Sequence, residues 1–507
     1  MTTALVLGSA LAHGVEPPKP DPMGVPPSKL YDYGSMGPPA TPEVVQAAIA
    51  GLDMPPAPGP FQPTWKSIAA HYRTPDWFKQ AQFGLFIHWG LYSVAAHRNE
   101  WYEKHMYSSA ESAWHAEHFG PHERFGYKDL IPRFTARKFD PDAWAALFKA
   151  AGARFVMPAA QHHDNFALWD SRHTPFNAKA MGPRRDLIGE LGVAVRKQGM
   201  KYGLGNHGVE NFTFINPTAA LETRLRSARA DLFDPAWSDF YNVADRSPAA
   251  MARFLTNWTE RNFELIDKYQ PDILWFDNGA NLRVLDPLKL RVAAYYYNRA
   301  ADWGKQVSIS SKYVAYAPSN DDSRQIGSII DFEKVGRRSP PDIRPGPWMV
   351  DDNLGSTWGY TEGMSVAPME TILRRLVDTV AKGGTYLLNI SPRGDGSIPD
   401  DQKQVLLALG AWLEAHGEAI YASTPWKQYG EGEDIRFTRK GEVLYAIVLN
   451  GAGPVRIAAL ASGRTGRIAH VELLGENRPV SFRQDAQALS LEAPQAGVPR
   501  AYRIRFH

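Results

Sequence analysis

Acids and histidines that could transfer protons stand at the ends of short apolar runs in this sequence. They are His88, His162, His163, Asp164, His207, Asp277, Glu333, Asp351 and Asp352. Side chains alternate along a strand, so Trp275 and Asp277 share one face of their run. Two carboxylates that converge with histidines and aromatic rings suit cleavage of a glycosidic bond. One carboxylate attacks or stabilises the anomeric carbon, and the other protonates the leaving oxygen.

Glu333 is the candidate for the proton donor. Such an acid must hold its proton near neutral pH, which requires desolvation or a neighbouring negative charge. Ile329, Ile330 and Phe332 favour an apolar setting around it. Asp331 is a rival on the same strand face, but it lies about 6–7 Å further down, and we expect a buried structural acid there. A strand-end acid can also cap a helix or pair with a base, so spacing alone leaves the choice open.

Two other classes of protein would use similar residues. A metal-dependent hydrolase also places histidines at strand ends, but typically with a His-x-His pair on the first strand, where this chain has only His88. His115, His118 and His122 have helical spacing, yet Gly120-Pro121 interrupts them. We therefore expect no metal and no cofactor. A non-catalytic sugar-binding protein would keep the aromatic residues but lose one acid, and both acids are present.

Eight apolar runs must position these side chains. They cover residues 83–89, 154–161, 201–206, 272–277, 306–311, 328–333, 348–352 and 385–390. Their length and composition are typical of strands buried on both faces. Segments with helical periodicity lie between them, at 141–150, 186–198, 251–269, 287–301 and 367–381. The alternation predicts a (β/α)8 barrel of the TIM type, in which catalytic groups lie at the carboxyl ends of the strands. A doubly wound open sheet is the alternative, but its Gly-rich first turn is missing.

The chain divides into four predicted parts. Residues 1–12 form a possible signal peptide, because the apolar stretch from Ala4 ends in a small-x-small pattern, although a basic n-region is missing. We expect export to the periplasm or the medium. Residues 13–63 are a Pro-rich extension in which 41–52 could form a helix. Residues 64–423 form the catalytic barrel, and 424–507 a small antiparallel β-sandwich.

Composition excludes several functions. The 507 residues carry 56 Lys+Arg and 54 Asp+Glu, a balance that argues against nucleic-acid binding. The absence of cysteine removes disulfides and thiolate metal sites. No apolar run approaches the roughly 18 residues of a membrane span. Aromatic residues reach 12%, including 15 Trp, which suits a pocket for molecules with both apolar and hydroxylated faces. The oligomeric state is not indicated.

Several motifs carry a family resemblance. They are FGLFIHWG at 83–90, NEWY at 99–102, HHDNF at 162–166, WFD at 275–277, GGTYLLN at 383–389 and DGSIP at 395–399. In this order the sequence resembles the alpha-L-fucosidases of glycoside hydrolase family 29. The resemblance implies a retaining exo-glycosidase that releases terminal α-L-fucosyl residues from oligosaccharides or glycoconjugates. A glycosidase of another sugar specificity on the same barrel is the alternative.

The resemblance also assigns roles to residues. It implies that Asp277 is the nucleophile and that the fucose pocket is lined by His88, Glu100, Trp101, His162, His163 and Trp275. The segments DFEK at 331–334 and STWGY at 356–360 are similar to those of the subset that acts on α-1,3/1,4-linked fucose. They imply Glu333 as acid/base and Trp358 as a sugar contact. Where many members have tyrosines after the third strand, this chain has His207, which we take as a sugar ligand; Lys312 stands near the place of a family arginine.

Overall fold

The computed structural model describes residues 40–108, 111–313, 315–318, 327–336, 339–450, 454–476, 478–492 and 499–507. The predicted signal peptide (1–12) and the first part of the predicted Pro-rich extension (13–39) lie outside the described residues. Among the helices that are described, none is long and apolar enough to cross a bilayer.

Eight parallel strands close into a barrel, as the sequence predicts. They are β1 (Phe83–Ile87), β2 (Phe155–Gln161), β3 (Lys201–Asn206), β4 (Ile273–Phe276), β5 (Ser308–Lys312), β6 (Ser328–Glu333), β7 (Trp348–Asn353) and β8 (Thr385–Ile390). Each pairs with the next in parallel, and β8 returns to β1 with Phe83 opposite Tyr386. The strands are buried on both faces, which explains their nearly continuous apolar sequences.

Helices surround the barrel and fill its connections. In chain order they are α1 (Pro42–Ala50), α2 (Trp65–His71), α3 (Asp76–Ala81), α4 (Tyr92–Ala95), α5 (Tyr102–Ser108), α6 (Glu111–His118), α7 (Pro141–Ala150), α8 (Leu187–Lys197), α9 (Asn211–Phe214), α10 (Ala219–Ala228), α11 (Ser238–Tyr241), α12 (Pro248–Tyr269), α13 (Asp286–Asp302), α14 (Met369–Ala381) and α15 (Asp400–His416). The start of α7 follows from its sequence, because the Asp140 side chain accepts a hydrogen bond from the Ala143 N–H and Pro141 takes the first helical position.

The barrel interior is a packed core below the level of the site. Gly84 of β1 faces inward, and a Cβ there would lie 2.4 Å from the Phe155 ring. The missing side chain therefore makes room for that ring. Phe78 of α3 packs against Phe155 with ring centroids 6.3 Å apart, so a helix before the first strand closes the amino-terminal end of the barrel. We therefore expect the active site at the opposite end of the barrel, where the carboxyl ends of the strands lie.

A two-sheet antiparallel β-sandwich follows the barrel. Its strands are β9 (Thr424–Glu431), β10 (Ile435–Lys440), β11 (Val443–Val448), β12 (Val455–Ile457), β13 (Ile468–Leu473), β14 (Arg478–Pro479), β15 (Phe482–Gln484), β16 (Leu489–Leu491) and β17 (Arg500–Phe506). The larger sheet has the order β14-β13-β17-β11-β10-β9 and the smaller one β12-β16-β15. Arg436 of β10 pairs with Asp378 of α14 at 2.7 Å, and the Trp412 indole N–H of α15 donates to Pro499 O at 2.9 Å. These contacts join the sandwich to the outer helices.

The described part of the Pro-rich extension wraps the barrel surface. Helix α1 packs on α12, where the Thr256 hydroxyl donates to Ala48 O at 2.9 Å. The chain then crosses to α13. There the Asn298 amide donates to Ala57 O and Phe61 O, and its oxygen accepts from the Phe61 N–H at 2.9 Å. Residues 40–63 are thus held by side-chain hydrogen bonds to two barrel helices.

Candidate active site

A cavity of about 240 Å³ opens at the carboxyl end of the barrel. Its walls are His88, Glu100, Trp101, His162, His163, His207, Asp277, Lys312, Glu333 and Trp358. All the site residues named from the sequence line it except Trp275. Lys312 joins them without having been predicted as a ligand. No sandwich residue of the described chain contributes to the wall.

Strand ends bring these side chains together. His88 directly follows β1, His162 and His163 follow β2, and His207 follows β3. Asp277 follows β4, while Lys312 and Glu333 are the last residues of β5 and β6. Parallel strands in a closed barrel end at the same rim, so residues up to 245 positions apart in sequence (88 to 333) meet there. Glu100, Trp101 and Trp358 arrive from connecting segments.

Asp277 lies between two histidines and a lysine. Its Oδ2 is 3.5 Å from His163 Nε2 and 4.0 Å from His207 Nε2. Its Oδ1 is 3.3 Å from Lys312 Nζ. The carboxyl group is buried, and these neighbours hold it facing the cavity.

Lys312 contacts three carboxyl groups. Beyond Asp277, its Nζ lies 3.9 Å from Glu333 Oε2 and 3.8 Å from Asp351 Oδ2. Burial lowers the pKa of Lys312, but the charges of Asp277, Glu333 and Asp351 outweigh burial and raise it well above its usual value. Lys312 is therefore a permanent cation among the acids of the site.

Glu333 differs from the expectation in its surroundings. Ile329, Ile330 and Phe332 are buried, as an apolar setting requires, but the Glu333 side chain retains 22% exposure at the cavity and faces Lys312. The apolar neighbours point into the barrel wall and interior instead. Glu333 therefore does not have the apolar setting expected from its neighbours in sequence, because the adjacent strand β5 places Lys312 beside it.

A second layer lies below the cavity floor. Trp275 is fully buried, and its indole N–H donates to Asp331 Oδ2 at 2.6 Å. Asp331 also accepts the Asp351 backbone N–H at 2.9 Å, so it is the buried structural acid that was expected. Burial raises the pKa of Asp331 to about 7. Burial and the charge of Asp331 raise the pKa of Asp351 well above its usual range. The Trp275 ring supports His207 from below, with ring centroids 4.8 Å apart.

Three histidines form one wall of the cavity. Ring centroids are 5.5 Å apart for His88 and His162, 5.1 Å for His88 and His207, and 4.5 Å for His162 and His207. Burial lowers the pKa of His88 to about 3 and those of His162 and His207 well below the usual value. Burial thus favours the neutral form of all three rings. Each offers one ring nitrogen within 4.8 Å of the others.

Glu100 fixes the segment that carries Trp358. Its Oε2 accepts the backbone N–H of Trp358 at 3.1 Å and that of Gly359 at 3.3 Å. Burial raises the pKa of Glu100, and the backbone donors partly oppose this shift. The Trp358 ring lies 5.1 Å from the His88 ring, so an indole forms the roof beside the histidine wall. Trp101 approaches His163 edge-on at 5.9 Å on the other side.

Glu210 is a buried acid that the sequence analysis did not identify. It lies in the 3-10 turn Gly208–Glu210 after β3, and its Oε2 is 3.5 Å from His163 Nδ1. His163 thus bridges Glu210 and Asp277. Burial and the charge of Asp277 raise the pKa of Glu210 to about 8. No spacing motif marks this residue, and only its position shortly after a strand end could have suggested it.

His115, His118, His122 and Asp352 make structural contacts outside the cavity. His115 is hydrogen-bonded to the Tyr102 hydroxyl at 2.7 Å and to Phe125 O at 2.8 Å. His118 and His122 are hydrogen-bonded to backbone carbonyls rather than to a common point. Asp352 pairs with Arg375 at 3.1 Å, outside the cavity.

Comparisons with known proteins agree with this geometry. A family model described as alpha-L-fucosidase matches residues 49–418. Tissue alpha-L-fucosidase of Rattus norvegicus is 32% identical over 440 residues, covering 85% of this chain and 87% of the rat protein. The human tissue enzyme is 30% identical, covering 87% of this chain and 90% of its own length.

Solved structures extend the similarity to three dimensions. Thermotoga maritima alpha-fucosidase in complex with fucose superposes with a TM-score of 0.69 at 29% identity, over 87% of this chain and 99% of that one. Together with the family match over most of the sequence, these similarities establish a glycoside hydrolase: the chain belongs to the alpha-L-fucosidase family.

Proposed function

We propose that this protein releases terminal α-L-fucosyl residues from oligosaccharides or glycoconjugates by double displacement. The observation that carries the proposal is the pairing of Asp277 and Glu333 across Lys312 in one cavity. The cavity is closed below by Trp275 and the packed barrel interior, so it accepts the end of a glycan rather than the middle of a chain. Such a shape favours removal of a terminal sugar.

Asp277 is the nucleophile and Glu333 the acid/base in this mechanism. Asp277 attacks the anomeric carbon while Glu333 protonates the leaving oxygen, and Glu333 then takes a proton from the water that hydrolyses the glycosyl-enzyme. Lys312 Nζ lies 3.3 Å from Asp277 Oδ1 and 3.9 Å from Glu333 Oε2, so these two oxygens are at most about 7.2 Å apart. Retention calls for carboxyl groups about 5–5.5 Å apart, which lies within this limit.

The other wall residues suit a deoxy sugar. His88, His162 and Glu100 offer nitrogen and oxygen atoms to ring hydroxyls, and Trp358 and Trp101 offer apolar faces to a C6 methyl group. A sugar that lacks one of the hydroxyls would leave buried polar atoms unpaired and should be strongly disfavoured. The fucose complex of the Thermotoga relative supports the choice of sugar.

Removal of the nucleophile tests the mechanism. Asp277→Gly should lose nearly all turnover of an aryl α-L-fucoside. Added azide should restore it and yield β-L-fucosyl azide, because azide occupies the space of the lost carboxylate. In the wild-type enzyme, NMR should detect α-L-fucose as the first product. Release of the β-anomer first, or full activity of Asp277→Gly, would overturn the assignment.

Glu333→Ala tests the acid/base. Substrates with good leaving groups need little protonation, so they should lose less rate than natural glycosides. The matched control is Glu362→Ala, because Glu362 is exposed, accepts from the Tyr360 hydroxyl at 2.9 Å and does not line the cavity. Equal losses on both substrate types would remove Glu333 from this role.

A substrate panel separates the alternatives. Hydrolysis of Lewis-type α-1,3/1,4-linked fucosides over α-1,2-linked ones supports the subset that the segments at 331–334 and 356–360 resemble. Activity only on another aryl glycoside would indicate a different sugar specificity. Activity that is lost with a chelator would indicate a metal-dependent hydrolase.

We also propose that the protein acts outside the cytoplasm. The support is the apolar stretch 4–12 with its small-x-small ending. Cell fractionation and amino-terminal sequencing of the mature protein test this. An intact amino terminus in the cytoplasmic fraction would contradict it.

A further inference from the structure

The histidine wall has the dimensions of a three-histidine metal site. Zn²⁺ binds imidazole nitrogen at about 2.0–2.1 Å in tetrahedral geometry, which places three ring centres about 5 Å apart. The rings of His88, His162 and His207 are 5.5, 5.1 and 4.5 Å apart, and their nitrogens lie within 4.8 Å of one another. Small ring rotations would bring these nitrogens onto one ion.

The hydrogen bonds of His88 present a free lone pair to the cavity. The Asn389 amide N–H donates to Trp358 O at 2.8 Å, which turns its oxygen toward His88. That oxygen lies 2.7 Å from His88 Nδ1, so Nδ1 carries the proton and donates. His88 Nε2 is then unprotonated, and the ring is oriented by an outer acceptor, as metal-ligating histidines usually are.

Two further nitrogens in the wall need a partner. Nδ1 of His162 and Nδ1 of His207 are buried, and neither has a hydrogen-bond partner among the described residues. The side chains are only 5% and 2% exposed. A buried polar atom without a partner is costly, and an ion held through Nδ1 would give such an atom a partner. Binding through either nitrogen would fix the tautomer of the ring.

Asp277 is the acid that lies beside the three histidines, and it shares its charge with Lys312 Nζ at 3.3 Å. Asp277 Oδ2 lies 4.0 Å from His207 Nε2, close enough to supply a fourth ligand after a small shift. The other candidate group, His163, Glu210 and Asp277, offers one imidazole instead of three, and imidazole nitrogen suits Zn²⁺ well. The geometry therefore selects the three-histidine group.

We propose that His88, His162 and His207 form a binding site for Zn²⁺ inside the sugar pocket and that zinc inhibits the enzyme reversibly by excluding substrate. The competition rests on the proposed function, because the same rings would contact fucose. The metal is not a cofactor. It occupies the place of the sugar beside Asp277 and engages its nucleophilic oxygen.

Two independent measurements test the proposal. In the first, metal-free protein is titrated with Zn²⁺ by calorimetry, with and without L-fucose, and one strong site that weakens in fucose is expected. Bound Co²⁺ should show the intense visible bands of tetrahedral coordination. These readouts require no activity, so they report on the site even if no fucoside is hydrolysed. Absence of a strong site, or octahedral Co²⁺ bands, would overturn the proposal.

The second measurement is steady-state inhibition of aryl α-L-fucoside hydrolysis. Zn²⁺ should raise the apparent KM without changing kcat, chelator should reverse this, and Mg²⁺ at the same concentration should have no effect because it prefers oxygen ligands. Changes in outer-shell partners alone cost about 10–100-fold in metal affinity, so His207→Gln should weaken zinc binding at least about tenfold. The control His118→Gln, at an exposed position, should bind zinc like the wild type. Noncompetitive inhibition, or unchanged zinc affinity in both His207→Gln and His88→Gln, would refute the site.

Discussion

Lys312 offers the sharpest test of the electrostatics of the site. Replacing it with Met keeps the approximate length of the side chain and removes a cation that contacts Asp277, Glu333 and Asp351. Asp277, which must be charged for attack, would then lie near Glu333 and Asp351 without the positive charge of Lys312. We expect the acidic limb of the kcat/KM profile to move to higher pH.

The size of this effect follows from the distance of 3.3 Å between Lys312 Nζ and Asp277 Oδ1. At an effective dielectric constant of about 20, two charges at this separation attract by about 5 kcal/mol before desolvation is counted. Opposite charges in such contact typically displace a titration by about 1–3 pH units, or about 1.4–4 kcal/mol. The acidic limb should move upward by an amount in that range.

The assay is kcat/KM for an aryl α-L-fucoside between about pH 4 and pH 9, where the limbs report groups of the free enzyme. Lys312→Arg is the matched control, because it keeps the charge and should hold the limb within about half a pH unit of the wild type. Lys312→Met could instead lower activity at every pH and leave the acidic limb of the profile in place. Lys312 would then serve only packing or contact with the sugar. That result would refute the reasoning.

Three further predictions concern buried groups. Burial and the charge of Asp277 raise the pKa of Glu210 to about 8, so this side chain is neutral at about pH 6. Glu210→Gln should therefore leave kcat/KM at that pH nearly unchanged. A loss of kcat/KM beyond about tenfold would contradict this prediction. Burial raises the pKa of Asp231 to about 7, well above its value of about 3.9 in the unfolded chain. Between these two pH values the native state binds more protons than the unfolded state. The free energy of unfolding therefore falls as pH rises through this window. Asp231→Asn should remove that dependence, so its Tm relative to the wild type should rise from about pH 4 to pH 7, and a constant difference would speak against it. Gly84→Ala should place a Cβ 2.4 Å from the Phe155 ring and cost at least about 1–3 kcal/mol, seen as a lower urea midpoint; an unchanged midpoint would show that the ring can move aside.

The barrel could be predicted from the sequence because burial on both faces leaves a readable pattern. The observed strands begin and end within two residues of the predicted runs, for example Phe155–Gln161 against 154–161. Helix Pro141–Ala150 matches the predicted segment because Asp140 and Pro141 mark its start. The barrel itself was predicted from the alternation of eight strands with helical segments rather than from any single residue.

The site was predictable where a rule linked position to chemistry. Strand ends gave His88, Asp277 and Glu333, since side chains there meet at one rim. Lys312 stands at such a strand end too, but its position in the sequence indicates only the place of a family arginine and not its contacts with three carboxyl groups. Glu210 lies in an irregular turn, and its approach to His163 depends on backbone geometry that periodicity does not encode.

The attachment of the β-sandwich sets a lower limit on how short a working version of this enzyme can be. A protein truncated after residue 423 would keep every described wall residue of the cavity. It would lose the ion pair of Asp378 with Arg436 and the hydrogen bond from the Trp412 indole to Pro499 O. The hydrophobic cluster of the barrel would also lose sandwich residues such as Tyr445 and Ile447, and newly exposed apolar surface promotes aggregation. A shortened version of the enzyme should therefore remove loops of the sandwich and retain strand β10, whose Arg436 pairs with Asp378 of the barrel helix α14.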